Sequence, residues 1–103
     1  MGNPMKIRAT AKDGVTEVKV LMSHDMETGL RKDDSGAVIP AWYIKEVVAK
    51  LNDKPVLNVQ WGQSVSKNPF LSFKIKGGKA GDKVVISWTD TKGDTRTDEA
   101  VVA

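Results

Sequence analysis

His24 is the only histidine of the chain, and Asp25 and Glu27 lie close enough to it to suggest a proton-transfer group. The other members such chemistry needs are missing. Nucleophilic catalysis requires an activated Ser, Thr or Cys beside the base, and a zinc site requires three or four ligands. The sequence offers no cysteine and no second histidine. His24 therefore reads as a loop or interface residue, with no catalytic role and no bound metal expected.

The remaining candidates fail on similar grounds. "GGKAGDK", Gly77 to Lys83, has the glycines of a phosphate cradle, but no Gly-Lys-Ser or Gly-Lys-Thr closes it and no helical pattern follows. It reads as a glycine-rich hairpin loop. "DDSG", Asp33 to Gly36, lacks the third acidic position and the closing Glu of a calcium loop, and an Asx turn accounts for it better. Asp98 and Glu99 are neighbours on a predicted strand, so their side chains face opposite sides and cannot flank one substrate bond. No enzyme and no cofactor are expected.

A chain of 103 residues is one domain long, taken here as residues 1–103, and can bury a core of its own. Its 40% apolar and 28% charged content belongs to an ordinary globular protein. No stretch approaches the roughly 20 apolar residues that span a bilayer, and the first residues lack the apolar segment of a secretion signal. Lysines dominate the 16 basic residues and are interleaved with 13 acids, for a net charge of +3. That pattern describes a solvated surface, without the clustered basic stripe and stacking aromatics of a nucleic-acid binder. Lys74, Lys76, Lys79 and Lys83, near the glycine loop, are read the same way.

The elements follow a period of two. Met5, Ile7, Ala9 and Ala11 alternate with Lys6, Arg8, Thr10 and Lys12, and Asp13-Gly14 supplies a type I′ hairpin turn into a strand with Val18, Val20 and Met22 on one face. "WYIKEVVAKL", Trp42 to Leu51, is apolar on both sides, with Val47, Ala49 and Leu51 opposite Ile44 and Val48; its β-branched residues favour a strand over a helix. Leu57, Val59 and Trp61, then Leu71, Phe73 and Ile75, then Val84, Ile86 and Trp88 give three half-buried strands, and "TRTDEAVVA" ends the series. The pattern predicts an all-β, immunoglobulin-like antiparallel sandwich of about seven strands, with a small barrel as its competitor. Without a disulfide, its core should rest on Trp61, Trp88, Phe70, Phe73 and the aliphatic residues.

One connection is too long for such a fold. From Ser23 to Pro40 the chain far exceeds the roughly 4–6 residues usual between elements, and loops of that length tend to be functional. Its apolar residues and methionines suit an adaptable protein contact. Met22, His24, Met26, Leu30, Trp42 and Ile44 are therefore the candidate partner-interface residues. Folding of the loop back over the chain's own core is the competing reading.

These residues also carry a resemblance. "VKVLMSHDMETGLRKDDSGAVIPAWYI", "SKNPFLSFKIKGGKAGDKV" and "WTDTKGDTRTDEA" resemble the SoxZ family, the subunit without the reactive cysteine in the SoxYZ carrier of bacterial thiosulfate oxidation. The likeness covers nearly the whole chain. It implies an immunoglobulin-like sandwich and a non-catalytic role in a heterodimer with SoxY, which bears the sulfur intermediate on a cysteine of a flexible arm. Through SoxY it implies contact with the enzymes of the Sox pathway, and it leaves room for a homodimer when SoxY is absent. No nucleic acid and no membrane partner are implied. It also implies a periplasmic location reached by co-export with signal-bearing SoxY, since the chain shows no signal peptide of its own. The alternative is a stand-alone β-sandwich that binds a ligand or acts in adhesion.

Overall fold

The structure is a computed structural model that describes residues 3–62 and 65–103. Among the described residues seven strands form: β1 (Lys6–Lys12), β2 (Val15–Leu21), β3 (Ile44–Leu51), β4 (Lys54–Gln60), β5 (Phe70–Lys76), β6 (Lys83–Asp90) and β7 (Thr95–Val101). They build two antiparallel sheets, ordered β1-β2-β5 and β4-β3-β6-β7. Two hairpins owe their tightness to residues that accept positive φ. Asp13 and Gly14, at 54° and 78°, close β1 on β2, and Asn52 and Asp53, at 50° and 67°, close β3 on β4. In a constant-type immunoglobulin domain the fourth strand joins the first sheet. Here it pairs with β3 instead, which leaves a three-stranded sheet facing a four-stranded one.

The two sheets enclose one core. Val18, Val20 and Met22 from one side meet Ile44, Val47, Ala49, Val84, Ile86 and Trp88 from the other, and all are buried. Alternation explains the membership, because Lys19 and Leu21 on β2 and Val85 and Ser87 on β6 take the opposite parity and point away from the core. Each large side chain so buried contributes roughly 1.5–3 kcal/mol.

Three sequence expectations are corrected. Phe70 is 60% exposed rather than part of the core. Leu71, Phe73 and Ile75 take the inward parity of β5, which turns Phe70 outward. Ile44 does not lie opposite Val47. A register shift in the pairing with β6, between Ile44 and Glu46, brings both to the core face. The segment Gly77–Asp82 is no hairpin, since it carries the chain from β5 in one sheet to β6 in the other. Its glycines have a physical reason. Gly78 has φ +84°, and a Cβ there would run into the Thr16 hydroxyl, which is buried and donates to the Gly77 carbonyl at 2.8 Å.

Candidate docking surface

The segment between β2 and β3 divides into two parts with opposite fates. Its first part folds inward. Met22 N–H donates to the Pro69 carbonyl at 2.9 Å, and His24 exchanges two bonds with Asn68: His24 N–H to Asn68 Oδ1 at 3.1 Å and Asn68 N–H to the His24 carbonyl at 2.9 Å. These bonds pin the segment to the loop before β5 and drop His24 and Met26 into the end of the sandwich, 6% and 5% exposed.

There His24 is fully engaged. The Met26 N–H donates to its Nδ1 at 3.0 Å, so the ring proton lies on Nε2, which donates to Asp90 Oδ2 at 3.1 Å. The ring meets Trp42 and Trp88 edge-on, with centroids 4.8 and 5.2 Å away. Met26 sits at φ 51°, unusual for a side chain of its kind, and its bond to the His24 ring stabilises that turn. The Ile44 N–H in turn points at the Met26 sulfur at 3.3 Å.

Asp90, wholly buried at the end of β6, is the hub. Oδ2 also accepts the Trp42 Nε1–H at 2.7 Å, while Oδ1 accepts the backbone N–H groups of Lys92 and Asp94 at 3.0 and 2.9 Å. Burial pushes this carboxyl up, but the bonds from Trp42, His24, Asp94 and Lys92 together outweigh it and hold it below the usual carboxylate range. The arrangement has the outline of a base and its orienting acid. Both ring nitrogens are already committed within the chain, however, so His24 has none left to act on a substrate. What the network can do is fasten the β2–β3 segment, β6 and the β6–β7 turn together.

The second part of the segment projects as an irregular hairpin. Glu27 and Trp42 exchange backbone bonds at 2.6 and 2.9 Å, and a second bridge joins Lys32 to Val38. Arg31 clasps the Glu27 carboxylate with two bonds, at 2.6 and 3.1 Å. At the tip Asp33 Oδ1 accepts from Ser35 N–H, Ser35 Oγ and Ala37 N–H, which is the Asx turn expected of "DDSG". Those bonds, the Ser35 hydroxyl first, hold the Asp33 carboxyl low. This arm carries Leu30 and Val38 outside, 80% and 56% exposed. Beside its base lies an open groove of about 600 Å³ lined by Glu27, Thr28, Arg31, Val65, Ser66 and Lys67.

The sequence matches the family described as sulphur oxidation protein SoxZ over residues 5–101. The chain belongs to the SoxZ family. No curated protein matches it. Membership assigns the chain to the sulfur-oxidation (Sox) system, in which the SoxZ family is a non-catalytic component.

Against this geometry the six predicted interface residues separate. Met22, His24, Met26 and Ile44 are buried inside the sandwich, so they are not available to form an outer apolar face. The long loop supplies one end of the core, and its methionines fill that end rather than solvent-facing positions. Trp42 is half-buried, its indole N–H inward on Asp90 and its ring face covered by the Lys92 ammonium at 4.1 Å. Leu30 alone of the six is freely exposed, and Val38 joins it across the arm. Asp90 and Asn68 went unnoticed in the sequence. They are distant in the chain from His24, and no local pattern links them to it.

Proposed function

We propose that this chain is the supporting subunit that binds the cysteine-bearing SoxY of the sulfur carrier and holds it for the enzymes of the pathway. The observation that carries this reading is an ordered arm that keeps large apolar side chains in water. Leu30 and Val38 would lose hydrophobic free energy there unless a partner covered them, and the Glu27–Trp42 and Lys32–Val38 bridges hold them in one shape before any partner arrives. The absence of cysteine supports the division of labour, because the covalent chemistry must then belong to the partner. In this reading the complex works in the periplasm and is exported with SoxY. The half-buried Trp42 and the open groove beside Arg31 extend the docking area, while His24, Met22, Met26 and Ile44 act from inside by setting the arm's angle.

The test is co-purification of SoxY with the chain and with Leu30→Asp/Val38→Asp. The wild-type chain should retain SoxY, and the double variant should lose it while unfolding at the same denaturant concentration. Retention by the variant would move the interface elsewhere, and no retention by the wild type would reject SoxY as the partner.

A further inference from the structure

The outer face of the three-stranded sheet is strongly net positive. Strand parity turns Lys6, Arg8, Thr10 and Lys12 outward from β1, Val15, Glu17, Lys19 and Leu21 from β2, and Phe70, Ser72, Lys74 and Lys76 from β5. The register then sets them in four cross-strand rows: Lys6–Leu21–Phe70, Arg8–Lys19–Ser72, Thr10–Glu17–Lys74 and Lys12–Val15–Lys76. Six cations thus share these strand positions with one carboxylate, Glu17, which is itself 3.4 Å from Lys19, and Asp13 of the β1–β2 turn borders the same face beside Lys12 and Lys74. The outward strand positions carry +5, or +4 with Asp13, while the whole chain carries +3, so the rest of the chain is net negative. On the outer side of the other sheet Glu46, Lys50, Lys83 and Glu99 are mixed with Ser87, Thr89, Thr95 and Thr97, and Lys83 stands 3.6 Å from Glu99. Lys6, Lys12, Lys19, Lys74 and Lys76, scattered along the sequence, are therefore brought by parity and register onto one sheet face.

We propose that this face docks an acidic protein surface in a transient, salt-sensitive encounter, separately from the arm that carries Leu30. Six like charges within one sheet repel one another, and opposite charge on a partner relieves that repulsion while steering its approach. The end row supplies an apolar foothold, since Leu21 and Phe70 are cross-strand neighbours and 41% and 60% exposed. The make-up of the face argues for a brief contact, because exposed charges steer association more than they hold it and the apolar part is limited to one end row and Val15. Nucleic acid fits less well. The face has one arginine and one aromatic ring, where a strand-binding surface stacks bases on several, and a flat sheet does not enter a groove.

The test uses the isotopically labelled full chain, titrated with a short Glu-rich peptide holding a central leucine and, separately, with a short DNA duplex. Peptide-induced NMR shifts should cluster on the outward residues of β1, β2 and β5. Affinity should fall about tenfold between roughly 50 and 300 mM salt. Arg8→Glu/Lys76→Glu, which lowers the charge of the face by four, should abolish the shifts, and Phe70→Ala should weaken binding severalfold. Arg8→Gln/Lys76→Gln repeats the test without new carboxylates, in case the reversal disturbs the sheet. Leu30→Asp/Val38→Asp should bind the peptide as the wild type does, which separates this face from the SoxY reading. Shifts spread equally over Lys45, Lys54 and Lys92, unchanged binding by both charge variants, or tighter binding of DNA than of peptide would overturn the proposal.

Discussion

His24 and Asp90 stand 66 positions apart in the chain and 3.1 Å apart in the fold. The contact closes the end of the sandwich, because Asp90 ends β6 while His24 begins the segment that leads to the projecting arm. A buried carboxylate is costly unless its lone pairs are used. Asp90 receives four donors, and each comes from a different residue: His24, Trp42, Lys92 and Asp94.

Asp90→Asn should therefore destabilise the fold although it barely changes volume. The new amide brings an N–H₂ where only acceptors are wanted, leaving buried donors opposed to donors. The expected loss is about 2–4 kcal/mol, read from urea unfolding. A midpoint equal to that of the wild type would show that the network does not fasten the segment.

Acid should weaken the protein in a defined window. The Asp98 carboxyl is held low by the Arg96 guanidinium, against the opposing effect of burial, and by the Met5 N–H at 2.9 Å; Asp90 is held low by its network. Both bind a proton less readily when folded than an ordinary aspartate does, so the unfolded chain takes up protons first as pH falls. Their contribution is complete above the ordinary carboxylate range and is lost as pH drops from there through the depressed folded values. Unfolding free energy measured against pH should be flat near neutrality on account of these two groups and decline in that acidic window. Asp98→Asn should make the decline shallower.

Two glycine substitutions should separate backbone strain from collision. Gly14 and Gly78 have nearly equal φ, +78° and +84°, but a Cβ at Gly14 meets open space and one at Gly78 meets the Thr16 hydroxyl. Gly14→Ala should cost about 1 kcal/mol, the usual penalty for positive φ. Gly78→Ala should cost about 1–3 kcal/mol more, because the sheet-to-sheet connection must shift. Equal thermal shifts for the two would contradict the close approach.

Met26 and Leu30 lie four positions apart and should respond oppositely. Met26→Ala removes a side chain buried at the core's end, with an expected loss of about 2–5 kcal/mol. Leu30→Ala should stay within about 0.5 kcal/mol of the wild type in chemical unfolding, since nothing in the isolated chain covers it.

The strands were legible because their information is local. Alternation of apolar and polar residues along "KIRATAK", "FLSFKIK" and "KVVISWTD" fixes which side chain faces inward, and Asp13-Gly14 fixes a turn. The absence of cysteine was equally a property of the sequence. The function of the long loop was not. Its methionines have the same composition whether they meet a partner or their own core, and only the bonds from His24 to Asn68 and Asp90 decide that Met22 and Met26 turn inward while Leu30 stays outside. Likewise no window of sequence reveals that Arg8, Lys19 and Lys76 share a surface. That follows from the pairing of β2 with both β1 and β5, a long-range choice made by the packing of two sheets.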